Sequence, residues 1–129
     1  MKRIYLIAVL SFFTVANTYA QLQNTKWQGM LMIPDGTECY VEFRQDTATI
    51  STLKNNSLVE EMKYSIKSDT ITFFKISGIS PCDEGSPGIY KYRINDNTLL
   101  LTLISDECDV RANSGMTEGL TRIIPIKKE

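Results

Sequence analysis

The chain has 129 residues, with 14 lysines and arginines against 15 aspartates and glutamates, and no histidine. That length suits one domain with a modest core. The near-balanced charge lacks the basic excess of a nucleic-acid binder, and the missing histidine removes Ser-His-Asp and Cys-His catalysis as well as Cys/His zinc sites.

The first element reads as an address. A basic start, Met1-Lys2-Arg3, precedes an apolar run over 4–15 that only Ser11 and Thr14 interrupt, and small residues at Thr18 and Ala20 lead to Gln21. These are the three parts of a secretory signal. The run is 12 residues long, short of the ~20 needed to span a bilayer. The expectation is therefore a signal peptide over 1–20 and a mature domain over 21–129. That domain has 12 basic and 15 acidic residues, because Lys2 and Arg3 leave with the signal. Gln21 rather than cysteine follows the cleavage point, so no lipid anchor is expected. The predicted location is periplasmic or secreted, with no membrane anchor and no nucleic-acid partner.

Short strands follow in succession. The segment 27–33 opens the series. Cys39-Tyr40-Val41-Glu42-Phe43 alternates apolar and polar residues, the mark of a half-buried strand. The segment 48–53 is rich in threonine and β-branched residues, which suit a pleated surface. Met62-Lys63-Tyr64-Ser65-Ile66 and Tyr90-Lys91-Tyr92-Arg93-Ile94 alternate like the second strand, and Leu99, Leu101 and Leu103 line one face of another. Ile71-Thr72-Phe73-Phe74 and the segment 120–126 complete eight. No helical period intervenes, so the predicted fold is all-β: an eight-stranded antiparallel up-and-down barrel.

Turn chemistry orders the strands. Gln45-Asp46, Ser68-Asp69 and Asp96-Asn97 are tight hairpin turns at the even-numbered links. The long links, 77–87 and 105–119, are both odd-numbered and so share the opposite end of a closed meander. Cys82 and Cys108 lie on those two links. In an oxidising compartment they are expected to form a disulfide, contributing about 3–4 kcal/mol by loop closure. Cys39 alternates inward with Val41 and Phe43 and reads as a small buried apolar residue.

Two functions compete. Val41, Phe43, Met62, Tyr64, Phe73, Tyr90, Tyr92 and Leu101 are predicted to face the interior, together with Trp27, Ile66 and Leu103. A barrel of this size holds either a packed core or one small ligand, so these residues are candidate contacts for a small apolar ligand. The alternative is an envelope protein-interaction or inhibitor module acting through loops 77–87 and 105–119, with Ile79 and Met116 as exposed tips. Asp83, Glu84, Asp106, Glu107 and Asp109 gather near the predicted disulfide and read as solvated loop carboxylates, without EF-hand spacing. With no nucleophile motif, no enzymatic activity is expected, and no metal or other cofactor is implied.

Several segments also carry a resemblance. Trp27-Gln28-Gly29, Tyr64-Ser65-Ile66 with Ser68-Asp69 and Thr70-Ile71-Thr72-Phe73, and Gly88-Ile89-Tyr90-Lys91-Tyr92 resemble small secreted lipocalin-like proteins of Bacteroidetes. So do Asn95-Asp96-Asn97-Thr98-Leu99 and the Asp-x-Cys-x-x-Arg pattern of Asp106-Glu107-Cys108-Asp109-Val110-Arg111. The resemblance implies a calycin-type barrel with an apolar ligand. It also implies that Trp27 packs under Arg122 near the end of the chain, a cation–π contact of about 0.5–2 kcal/mol. Here the order is Trp-x-Gly where lipocalins have Gly-x-Trp, and no C-terminal helix is evident. Arg111 is the alternative pairing residue, facing Asp83 or Asp106 across the disulfide.

Overall fold

Alternation of buried and exposed side chains builds the fold, and a computed structural model describes it for residues 21–32 and 36–124. The predicted export segment lies outside the described residues. The strands are β1 (Thr25–Leu31), β2 (Thr37–Phe43), β3 (Thr47–Thr52), β4 (Leu58–Lys67), β5 (Thr70–Ser77), β6 (Pro87–Asn95), β7 (Thr98–Asp106) and β8 (Leu120–Ile123). Each pairs antiparallel with its sequence neighbour, and β8 closes on β1 to complete an eight-stranded barrel. A four-residue helix α1 (Asp109–Ala112) and a 3-10 turn (Met116–Glu118) lie between β7 and β8.

The interior follows the period-two reading. Cys39, Val41 and Phe43 point inward from β2, Met62 and Tyr64 from β4, Ile71 and Phe73 from β5, Tyr90 and Tyr92 from β6, and Leu99 and Leu101 from β7. The aromatic rings stack through the core: Phe43 meets Tyr64 edge-on at 5.4 Å and lies 6.4 Å from Phe73, which meets Tyr90 edge-on at 5.8 Å. Such contacts add about 0.5–1.5 kcal/mol each beyond their buried area.

The barrel's ends differ. The tight end has the hairpins of the even-numbered links. Ser68 and Asp96 adopt left-handed φ angles there, of 57° and 52°, a region that short polar residues tolerate. Leu22, just before β1, is fully buried and joins the core, while the neighbouring Gln23 side-chain amide donates to the Gln45 carbonyl at 3.0 Å. The other end, the mouth, gathers the long links as the parity of the meander requires. The Cys82–Cys108 disulfide joins them, with the two Cα atoms 5.4 Å apart.

Two expectations are corrected. Met116 is not an exposed tip but a core residue, 1% exposed, because the 105–119 link folds back over the mouth instead of arching away. Leu103 does not stay inside. A bulge sets Ile89 opposite Ser105 but Tyr90 opposite Leu103, and Leu103 is 43% exposed.

Candidate functional site

A cluster of charged side chains closes the mouth, and its centre is Arg111. β7 delivers Asp106 to the rim, where its Oδ1 accepts the Cys108 N–H at 2.8 Å and so turns the chain into α1. One helical turn then places Arg111 inside the barrel's end, 0% exposed. Arg111 Nε donates to Asp106 Oδ2 and Nη2 to Asp106 Oδ1, both at 2.8 Å. This two-point fork is the strong form of the arginine–carboxylate bond. Nη2 also donates to the Ser86 carbonyl at 2.9 Å, and Nη1 reaches Glu60 Oε2 at 3.4 Å. The Tyr90 hydroxyl completes Asp106 by donating to its Oδ2.

A second branch holds the 77–87 link. Ser80 Oγ donates to Glu60 Oε1 at 2.7 Å. Lys75 Nζ donates to the Ser80 and Cys82 carbonyls, each at 2.7 Å. Two cations, Arg111 and Lys75, thus share a cluster of buried side chains with two carboxylates, Asp106 and Glu60. Among the described residues, no buried side-chain nitrogen or oxygen lacks a hydrogen-bond partner. That completeness matters, since a partly satisfied buried network is worse than an apolar one.

Two glycines make room for it. At Gly88 a Cβ would lie 2.5 Å from Asp106 Oδ2 and 2.9 Å from Arg111 Nη2, so only glycine lets the fork approach β6. Gly78 has φ 115°, and a Cβ there would meet the Val59 carbonyl oxygen at 2.5 Å.

The electrostatics follow from the geometry. Burial alone pulls the Arg111 guanidinium down. Its bonds to Asp106 and the nearby charges of Glu60 and Asp106 outweigh that, and its pKa rises. The Tyr90 phenol is pushed above the ordinary tyrosine range, first by burial and then by its bond to Asp106 and that carboxylate's charge. Burial also raises the Cys39 thiol, which is unpaired inside the barrel.

The outer side of this clasp is a groove of about 320 Å3 lined by residues 81–86 and 107–110. It carries Asp83, Glu84, Glu107 and Asp109 and no basic side chain. Ile79 stands beyond it, 74% exposed. Of the five acidic residues grouped in the sequence, Asp106 alone turns inward; among the described residues no group of three or more histidines, cysteines or carboxylates is arranged to hold a metal ion.

The residues assigned to a ligand are all brought to the interior: Val41, Phe43, Met62, Tyr64, Phe73, Tyr90, Tyr92 and Leu101 belong to one core cluster. No water-sized space adjoins Phe43, Met62, Phe73 or Tyr90, each of which is without exposed surface. At the tight end the Arg122 guanidinium lies 5.6 Å from the centre of the Trp27 ring, its cross-strand neighbour. Arg111 pairs with Asp106; Asp83 instead faces the groove.

Sequence reading missed Glu60, Lys75, Ser80 and Ser86. Lys75 left a trace, since it falls on the inward face two residues after Phe73. Glu60 left a similar trace, two residues before Met62 on the inward face, but a bulge opposite Ile50 and Ser51 buries Val59 and Glu60 in succession and ends the alternation there. Comparisons with protein-family models, curated proteins and solved structures return no match to this chain.

Proposed function

We propose that the chain is an exported, lipocalin-like β-barrel module that recognises a protein partner through its clasped mouth. One observation carries this reading: a buried network centred on Arg111, with the disulfide, fixes both long links. Loops held on a rigid scaffold are where binding residues concentrate, and pre-ordering them lowers the entropic cost of association. The face they present combines a carboxylate-lined groove with the exposed side chains of Ile79 and Val110. The disulfide suits an oxidising compartment, and the export reading predicts a secreted form beginning at Gln21, which N-terminal sequencing checks.

The test is affinity capture from envelope extracts with three proteins: wild type, Ile79→Glu/Val110→Glu at the mouth, and Lys67→Glu at the tight end. A partner retained by wild type and Lys67→Glu but lost by the mouth variant supports the proposal. A partner that ignores the mouth variant removes it.

The carrier reading rests on the closed barrel and its inward aromatic set. It requires the interior to open, because the core side chains occupy the space a ligand would take. Titration with a fluorescent fatty acid decides this. Saturable, displaceable binding to the oxidised protein favours the carrier; no displaceable binding leaves the mouth as the working surface.

A further inference from the structure

β6 pairs with β7 along its length, from Gly88↔Asp106 to Asn95↔Thr98. On its other flank β7 meets β8 at Thr98 and Leu99 only. The chain that runs back to β8 packs its 3-10 turn beside β7 and is also tied to β1. There the Met32 N–H donates to the Ser114 carbonyl at 2.7 Å, and Gly115 sits so close that a Cβ would be 2.9 Å from the Met30 carbonyl oxygen. Among the described residues, no backbone hydrogen bond joins residues 102–105 to an element on that flank. These four residues are also exposed in succession, where a barrel strand alternates. The bulge leaves Ile104 without a partner residue and turns both Leu103 and Ile104, the latter 50% exposed, toward solvent.

An apolar strand edge of this kind is a template for another chain. Lysine and proline, which commonly block such edges, do not occur between Thr98 and Ser105; the bulge is the one guard. The strand then leads into residues 107–110, one wall of the acidic groove.

We infer that the open flank of β7 receives an extended segment of the partner protein as an added strand, and that this segment carries a lysine or arginine into the groove. The inference rests on the mouth-binding reading and names the partner's chemistry. Main-chain bonds to residues 102–105 and apolar contacts with Leu103 and Ile104 supply adhesion. Charge selects the occupant: the groove offers four carboxylates and no cation. A second copy of this chain is the poorer fit, because its own stretch from Thr98 to Val110 holds three acidic residues and no basic one.

The test uses the disulfide-intact protein and synthetic octapeptides alternating valine and threonine. One pair ends in two arginines or two glutamates at the C-terminus, and a second pair carries them at the N-terminus, so both strand directions are sampled. Amide hydrogen exchange and fluorescence polarisation are read together. An arginine peptide is expected to slow exchange at residues 102–105 and to bind at least about tenfold tighter than its glutamate counterpart. Ile104→Lys and, separately, Leu103→Thr should remove the protection, whereas Leu53→Lys on another face should not; thermal melts confirm that each variant folds. Equal binding of both peptide types, or no protection at 102–105 with either direction, overturns the inference. So does self-association seen by sedimentation that protects the same amides. An envelope partner lost by the Ile79→Glu/Val110→Glu variant but kept by Ile104→Lys would preserve the mouth reading and reject the β7 edge.

Discussion

Each end of the barrel is closed around an arginine, and the two are held in opposite ways. At the mouth, Arg111 is fully buried and bonded to two carboxylates. At the tight end, Arg122 lies over the Trp27 ring and remains exposed to solvent. The mouth depends on directional bonds among groups from four strands, two links and a helix. The tight end depends on short turns, the indole and Leu22. Charge inside a barrel fixes loops in one arrangement, but it leaves that end vulnerable to the loss of any one member.

The largest expected effect comes from breaking that set. Arg111→Ala strands the Asp106 and Glu60 carboxylates without their cation, and removal of one partner from a buried pair costs about 3–5 kcal/mol. Chemical denaturation should show the loss. The triple change Arg111→Met, Asp106→Leu and Glu60→Leu should recover most of it, because an apolar replacement removes the desolvation cost with the charges. Hydrogen exchange in the 77–87 and 105–119 links should nevertheless stay fast in the triple variant, since the bonds that order them are gone. Slow exchange there would mean that the disulfide alone orders the mouth.

Opening the disulfide is the next effect in size. Cys82→Ser/Cys108→Ser frees a loop with a sequence separation of 26, worth about 3–4 kcal/mol of closure entropy. The expected change is local as well as global, with amides near Ser80 and Cys108 losing protection before those of the even-numbered hairpins. Uniform loss across both ends would show that the mouth and the tight end unfold as one unit.

Tyr90→Phe sharpens the comparison through pH. Removing a phenol that donates to a buried carboxylate costs about 1.5–3 kcal/mol. Because the folded phenol holds its proton above the ordinary tyrosine pKa, its contribution is fully present below pH ~10. It is lost as pH rises from there through the higher folded value. The urea midpoint of wild type should therefore fall more steeply above pH ~10 than that of Tyr90→Phe. Parallel curves would remove Tyr90 from the clasp.

Much of this architecture was legible because each strand buries one face. The period-two runs at Cys39, Met62 and Tyr90 locate strands without reference to tertiary contacts, and the parity of short and long links brings Cys82 to Cys108. The clasp was far less legible. The sequence offered Asp106 as one of two partners for Arg111, but their burial follows only once β7 has ended and α1 has turned inward, and Glu60 keeps the inward period of Met62 and Tyr64 only up to the bulge that precedes it. Met116 and Leu22 misled or escaped the reading because a loop and a lead-in segment carry no periodicity to say which side chain is covered. Alternation finds strands, whereas the polar contacts of a closed end arise from pieces distant in sequence.

The smallest effect tests the other arginine. Arg122→Ala removes the cation from the Trp27 ring, and at an exposed site this interaction is worth about 0.5–1 kcal/mol. Trp27 itself keeps its place, because its Nε1–H donates to Thr25 Oγ1 at 2.8 Å and the ring is fully buried. The indole fluorescence maximum should therefore hardly move while the denaturation midpoint falls slightly. A loss comparable with that of Arg111→Ala would mean that Arg122 also secures the closure of β8 on β1, where it lies directly opposite Trp27. In that case the tight end would depend on a single arginine as much as the mouth does, and burial of the cation would not be what separates the two ends.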